Sequence, residues 1–251
     1  MSWETFSLLN YLWMGIAVCT FIFLFFLSAP YGRHIRPGWG PTIDNRIGWI
    51  VMEFTVVVVF LYFYASNGWP ENGFTTFFAG CFLLHYVNRS LIFPFRIHTS
   101  GKRMPVVIML SAMTFNLVNG FFLGYYFSHF ANYPPDWKYH WLFIGGLILF
   151  AGGMVINWQA DNILIHLRKP GETNYKIPRG SLFHRISCPN HFGETLEWAG
   201  FALMTWSLPA LTFLIWTAAN LIPRAVAHHR WYREHFPDYP NDRKAFIPYV
   251  W

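Results

Sequence analysis

Five ionisable residues interrupt otherwise apolar stretches of this chain: Glu53, Arg89, Asp161, Glu194 and Glu197. A charge in hydrocarbon costs roughly 2.5–3.5 kcal/mol on an insertion scale, so such residues are usually paired or functional. Glu53 and Arg89 either neutralise each other between helices or face a shared polar cavity. Asn157, Asp161, Leu164 and Arg168 recur at i, i+4, i+7 and i+11, which places them on one helical face. That stripe either bonds a neighbouring helix or meets a polar ligand. Glu194 and Glu197 lie three apart, just after Pro189-Asn190-His191-Phe192-Gly193. Two acids at a helix start favour the helix dipole; aimed into a cavity, they accept hydrogen bonds from amides.

A second concentration of chemistry lies in the polar stretch Arg168–Asn190, which is basic up to Arg185 and turn-rich (Arg168-Lys169-Pro170-Gly171, then Ile177-Pro178-Arg179-Gly180). With Lys102, Arg103, Arg224 and Arg230 it gathers many cations. Such a set suits the phosphates of an anionic cofactor and suits acidic lipid headgroups equally well. No Gly-rich fingerprint follows a strand, so a Rossmann site is excluded and any nucleotide has to be held by helices. Cys19, Cys81 and Cys188 show neither metal-ligand nor disulfide spacing, and His228 and His229 read as surface residues, so no metal is expected.

The elements that position these residues follow from composition. Of 251 residues, 54% are apolar, 21% aromatic and only 12% charged. That excludes disorder and a small disulfide scaffold, fits an ordinary soluble enzyme poorly, and matches a polytopic all-α membrane protein. A helix needs about 20 apolar residues to cross the hydrocarbon core. Spans are expected within Thr5–Gly32, Gly48–Tyr64, Phe74–Phe93, Met104–Phe130 and Trp141–Ile163. The charge-free run Trp198–Pro223 holds one long span or two short ones broken at Ser207-Leu208-Pro209. Charge parity decides for two. With seven spans, the basic residues of the first, third and fifth links and of the tail share one side, and the other keeps only Lys138. The reading is one domain, 1–251, with seven transmembrane helices around a cofactor and substrate cavity. The N-terminus is outside and the C-terminus cytoplasmic, in a bacterial inner membrane or the endoplasmic reticulum. The net charge of +6 then sets topology and implies no nucleic acid. The first apolar run is too long, and lacks the basic lead, for a cleavable signal peptide.

The ordered motifs Gly153–Glu172 (GMVINWQADNILIHLRKPGE), Tyr175–Gly180 (YKIPRG), Asn190–Trp198 (NHFGETLEW) and Ala202–Leu211 (ALMTWSLPAL) are specific. The tail Arg224–Trp251, with HHRWYREHFPDYPNDRKAFIPYVW, adds to the ordered set but is by itself shared with related lipid and enoyl reductases. Together with Trp49–Glu53, His85-Tyr86, Arg89 and Asn119-Gly120, the chain resembles the steroid 5α-reductase family over nearly its whole length. The resemblance implies NADPH-dependent saturation of the Δ4 bond of a 3-oxo-Δ4 steroid. It implies that Glu53 and Tyr86 bind the 3-keto oxygen. It implies cofactor contacts at Asn157, Asp161, Leu164, Arg168, Tyr175, Lys176, Asn190, Glu194, Arg224, His228 and Tyr232. Lys102 or Arg103 would reach the phosphates, and Tyr31 and Trp49 would line the site. Met52 departs from the family's glutamine, and Lys102 and Lys176 stand where the family has arginine. The expected partners are a steroid-like lipid and membrane lipids, with no obligate protein partner. The alternatives are reduction of another membrane lipid enone or enoyl thioester, a membrane methyltransferase, and a transporter or channel without enzymatic activity.

Overall fold

The computed structural model of the chain describes residues 1–27, 38–99, 101–168, 172 and 174–251. Its helices are α1 (Trp3–Phe26), α2 (Asn45–Tyr64), α3 (Gly73–Val87), α4 (Phe93–Arg96), α5 (Val106–His129), α6 (Trp141–His166), α7 (Pro189–Thr205) and α8 (Leu208–His235). A π-helical turn, Asn88–Ile92, joins α3 to α4 without interruption. Two short strands, β1 (Thr42–Asp44) and β2 (Arg103–Pro105), pair antiparallel with Asp44 opposite Arg103. Two compact units emerge: Met1–Phe6 with Ala29–Lys138, and Ser7–Ser28 with Tyr139–Trp251.

Among the described residues five helices, α1, α2, α5, α6 and α8, are long and apolar enough to cross a membrane by length and composition. The expected third and sixth spans fall to α3 and α7, which are 15 and 17 residues long. Long helices suit the setting because each satisfies its own backbone bonds, which hydrocarbon cannot do. The ends carry specific signals. Asp44 caps α2 by accepting from the amides of Arg46 and Ile47, and Asn72 caps α3 by accepting from Phe74 N. The break between α7 and α8 falls where expected: Trp206 turns left-handed at φ 44°, and α8 opens on Leu208-Pro209. Glu194 and Glu197 lie beyond the first turn of α7, which contains no acid. The dipole reading of that pair therefore fails, because the helix field fades within the first turn.

In the first unit, α5 packs against α2 through glycine. A Cβ on Gly124 would lie 2.5 Å from the Phe60 carbonyl oxygen, and one on Gly120 would lie 3.1 Å from that of Val56. Asn116, 3% exposed, donates from Nδ2 to the Met52 carbonyl at 2.6 Å and fixes the sliding register of the two helices. Asn116→Ala is expected to cost about 1 kcal/mol and to lower the thermal midpoint in detergent by about 2–4 °C. An unchanged midpoint would remove this tie from the account. The core beside it is aromatic, with Phe60 and Phe82 in contact at 4.6 Å and Phe127 close by.

In the second unit, α6 and α7 approach backbone to backbone. Added Cβ atoms on Gly146, Gly153, Gly193 and Gly200 would all fall 2.2–2.6 Å from backbone atoms of the facing helix. The glycines repeat at a spacing of seven on each helix, so two turns of each run in direct contact. Trp198, 1% exposed, fills the other side of α7 and meets Phe213 of α8 at 4.5 Å.

Candidate active site

Glu53 sits on α2 and Tyr86 on α3, and two ties fix the relation of these helices. Near the α2 end, the Tyr64 hydroxyl meets Thr76 Oγ1 at 3.4 Å. Near its start, the Trp49 indole donates to the Arg89 carbonyl at 3.0 Å. The end of one helix therefore meets the start of the other, and the pair runs antiparallel. Glu53 follows Trp49 by four residues and Tyr86 precedes Arg89 by three. At 1.5 Å per residue, Glu53 and Tyr86 lie about 6 and 4.5 Å from the Trp49–Arg89 tie, in the same direction. The two side chains belong to one level of the unit.

Their surroundings are partly dry. Tyr86 is 4% exposed, flanked by Phe82 at 4.8 Å and by the buried His85; Glu53 is half-buried. The Ser90 hydroxyl, inside the π turn, donates to the Tyr86 carbonyl at 2.6 Å. Arg89 turns its guanidinium over the rings of Trp49 and Phe93, at 5.1 and 4.6 Å. A phenol and a carboxyl held level beside apolar rings can polarise a carbonyl oxygen, the arrangement that oxyanion stabilisation needs.

The second unit holds the amide, carboxylate and cationic set. Asn157 and Asp161 of α6 are 1% and 6% exposed. Asn157 Nδ2 donates to the Asn190 carbonyl at 3.0 Å across the glycine seam. Leu164 continues the stripe, half-buried, whereas Arg168, also half-buried, lies past the end of α6 and so leaves the helical face expected for it. The Arg168 guanidinium stacks over Tyr175 at 5.3 Å, and Tyr175 meets Trp231 at 5.0 Å. Among the described residues no carboxylate pairs with Arg168. On α8, Arg224, His228 and Tyr232 recur at a spacing of four and share a face. The His228 ring stacks on that of His191, 5.9 Å away. Glu194 is half-buried, whereas Glu197 is fully buried.

Arg103 and Lys176, also expected at the site, hold other partners. Arg103 donates from Nε and Nη2 to the side chain and carbonyl of Thr42, at 2.7 and 2.6 Å. Lys102 is exposed beside it. Lys176 pairs with Glu172 on the surface, a contact worth little in water. Tyr31 lies outside the described residues. Ser90 and the π turn, absent from the sequence reading, lie one turn beyond Tyr86, to which the Ser90 hydroxyl bonds.

A family model described as 3-oxo-5-alpha-steroid 4-dehydrogenase matches residues 102–251. Steroid 5-alpha-reductase DET2 of Gossypium hirsutum is 43% identical over 94% of this chain and 93% of its own length. The protein of that name from Arabidopsis thaliana is 41% identical over 92% of this chain and 91% of its own. 3-oxo-5-alpha-steroid 4-dehydrogenase 1 of Bos taurus is 40% identical over 96% of this chain and 95% of its own.

Proposed function

Because the chain belongs to the 3-oxo-5-alpha-steroid 4-dehydrogenase family, we propose that it reduces the Δ4 double bond of 3-oxo-Δ4 steroids to 5α-dihydro steroids, with NADPH as reductant. The observation that carries this reading is the level placement of Glu53 and Tyr86 by the Trp49–Arg89 tie. The protein works as one integral-membrane reductase domain, 1–251. In it α3, the π turn and α4 count as one span and α7 as another, which gives seven, with the C-terminus cytoplasmic.

The donor set of the second unit fits a phosphorylated dinucleotide. Arg168 and Arg224 offer cations, Asn157 and Asp161 offer a buried amide and carboxylate, and Tyr175, His228 and Tyr232 offer rings and polar tips. Glu194, Asn190 and Lys176 complete it and Leu164 supplies apolar wall, while Trp49, Lys102 and Arg103 belong to the first unit. NADPH, when bound, supplies the hydride that adds to C5 of the enone. This chain's own groups handle the charge that results. Tyr86 donates a hydrogen bond to the 3-keto oxygen as negative charge builds there, and Glu53 orients Tyr86. A proton from water then reaches C4. The apolar rings around Tyr86 keep bulk water from weakening that hydrogen bond.

The deciding experiment is a product assay on detergent-purified protein with NADPH and testosterone, progesterone or androstenedione. Formation of a 5α-dihydro steroid is the expected result. NADPH binding with no steroid product would transfer the reading to another lipid enone, and no NADPH binding would end it.

A further inference from the structure

Outside the residues assigned to the reaction, one polar cluster of the second unit joins three chain segments. Ser187 precedes α7, His229 lies in the last two turns of α8, and Tyr239, Arg243 and Lys244 follow α8. The Ser187 hydroxyl, in a residue 3% exposed, lies 2.7 Å from His229 Nδ1, 2.7 Å from the Tyr239 hydroxyl and 3.1 Å from the Lys244 carbonyl oxygen. Arg243, also 3% exposed, donates from Nη1 to the Tyr239 hydroxyl at 3.4 Å and stacks over its ring at 4.9 Å. Two backbone bonds reinforce the junction, from Ser187 N to Lys244 O at 2.9 Å and from Lys244 N to Arg185 O at 2.8 Å.

Burial holds the Tyr239 phenol above its ordinary range, so it stays neutral. Its oxygen accepts from Arg243, and either hydroxyl can donate in the bond between Tyr239 and Ser187. Ser187 has a single proton, so when it donates to the Lys244 carbonyl it accepts from Tyr239 and from a protonated His229 Nδ1. A buried network of this kind is costly when incomplete and specifies one geometry when complete.

Three of the members adjoin a residue assigned to the cofactor. Asn190 stands three residues past Ser187, in the first turn of α7. His228 is the chain neighbour of His229. Tyr232 stacks face to face on Tyr239, with centroids 5.2 Å apart and planes within 6°. We propose that Ser187, His229, Tyr239 and Arg243 form a positioning clasp, in which the tail locks the start of α7 to the end of α8 and holds Asn190, His228 and Tyr232 at the spacing a nicotinamide dinucleotide requires. The clasp rests on the NADPH reading above.

The test uses the full chain in detergent and separates the KM for NADPH from kcat. Ser187→Ala and Tyr239→Phe are expected to raise the KM for NADPH about tenfold and to leave kcat at saturating NADPH within about threefold. Ser187→Thr, which keeps the hydroxyl, is expected to retain the wild-type KM. An unchanged KM in both variants overturns the clasp, as does a loss of kcat with no change in KM. Hydrogen exchange on the wild type tests the same idea without a variant. Coupling is reciprocal, so NADPH is expected to slow exchange over residues 185–190 and 239–246, and unaltered exchange there overturns the proposal. A wild type that does not bind NADPH fells the cofactor reading and the clasp together. A wild type that binds it, beside variants with unchanged KM, fells the clasp alone.

Discussion

Glu53→Gln and Tyr86→Phe are each expected to lower steroid turnover by about 10²–10³-fold, the usual loss when one donor to a developing oxyanion is removed. Both substitutions are nearly isosteric, so the packing of Tyr86 against Phe82 survives and the thermal midpoint stays close to that of the wild type. NADPH binding also stays, because these side chains serve the other reactant. The measurement is single-turnover product formation at saturating steroid, with NADPH affinity determined on the same preparation. Turnover within threefold of wild type in both variants would remove the pair from the mechanism and leave Trp49 and Arg89 as a purely structural tie.

The second large effect is on stability. Gly153→Ala places a methyl carbon 2.3 Å from the Glu197 backbone nitrogen and 2.5 Å from the Gly193 carbonyl oxygen. Neither neighbour is a flexible side chain, so α6 and α7 have to part. The expected cost is about 3 kcal/mol, at the upper end for overpacking, with a fall of about 6–12 °C in thermal midpoint. Gly152 is the control. A Cβ there meets nothing within 4 Å, and alanine is the better helix former by about 0.8–1 kcal/mol. Gly152→Ala is therefore expected to be neutral or stabilising. Equal effects at both positions would show that the seam does not hold the helices.

Helix positions were largely legible because a membrane demands long apolar runs, and the α7–α8 break falls at Ser207-Leu208-Pro209, the interruption the apolar run itself offered. What escaped lacks a local signature. The π turn at Asn88–Ile92 shifts backbone bonding by one residue, and nothing in Asn-Arg-Ser-Leu-Ile announces that. β1 and β2 are three residues each, too short to alternate, and their partners lie far apart in the chain. The glycine seam did carry a signal, since Gly146 and Gly153, and Gly193 and Gly200, repeat at seven. It goes unread when glycines are taken one by one. For the site, the Asn157–Asp161–Leu164 stripe was readable from helical period, whereas Arg168 lies past the end of α6. The partners of Ser187 were not, because a hydroxyl that joins three segments has no spacing rule.

The depth of Glu53 has a practical consequence. It is the ninth residue of α2, about 12 Å along a rod of about 30 Å, and Tyr86 shares its level. On the proposed function, and with α2 across the bilayer, the reacting carbonyl would be met inside the acyl region. A steroid that concentrates there reaches the pair from lipid, so the governing concentration is its mole fraction among lipids. A KM expressed per volume of water then rises as more vesicle or detergent is added at fixed protein, and kcat does not move. Preparations that differ in lipid content will disagree about substrate affinity until they are compared on the membrane scale.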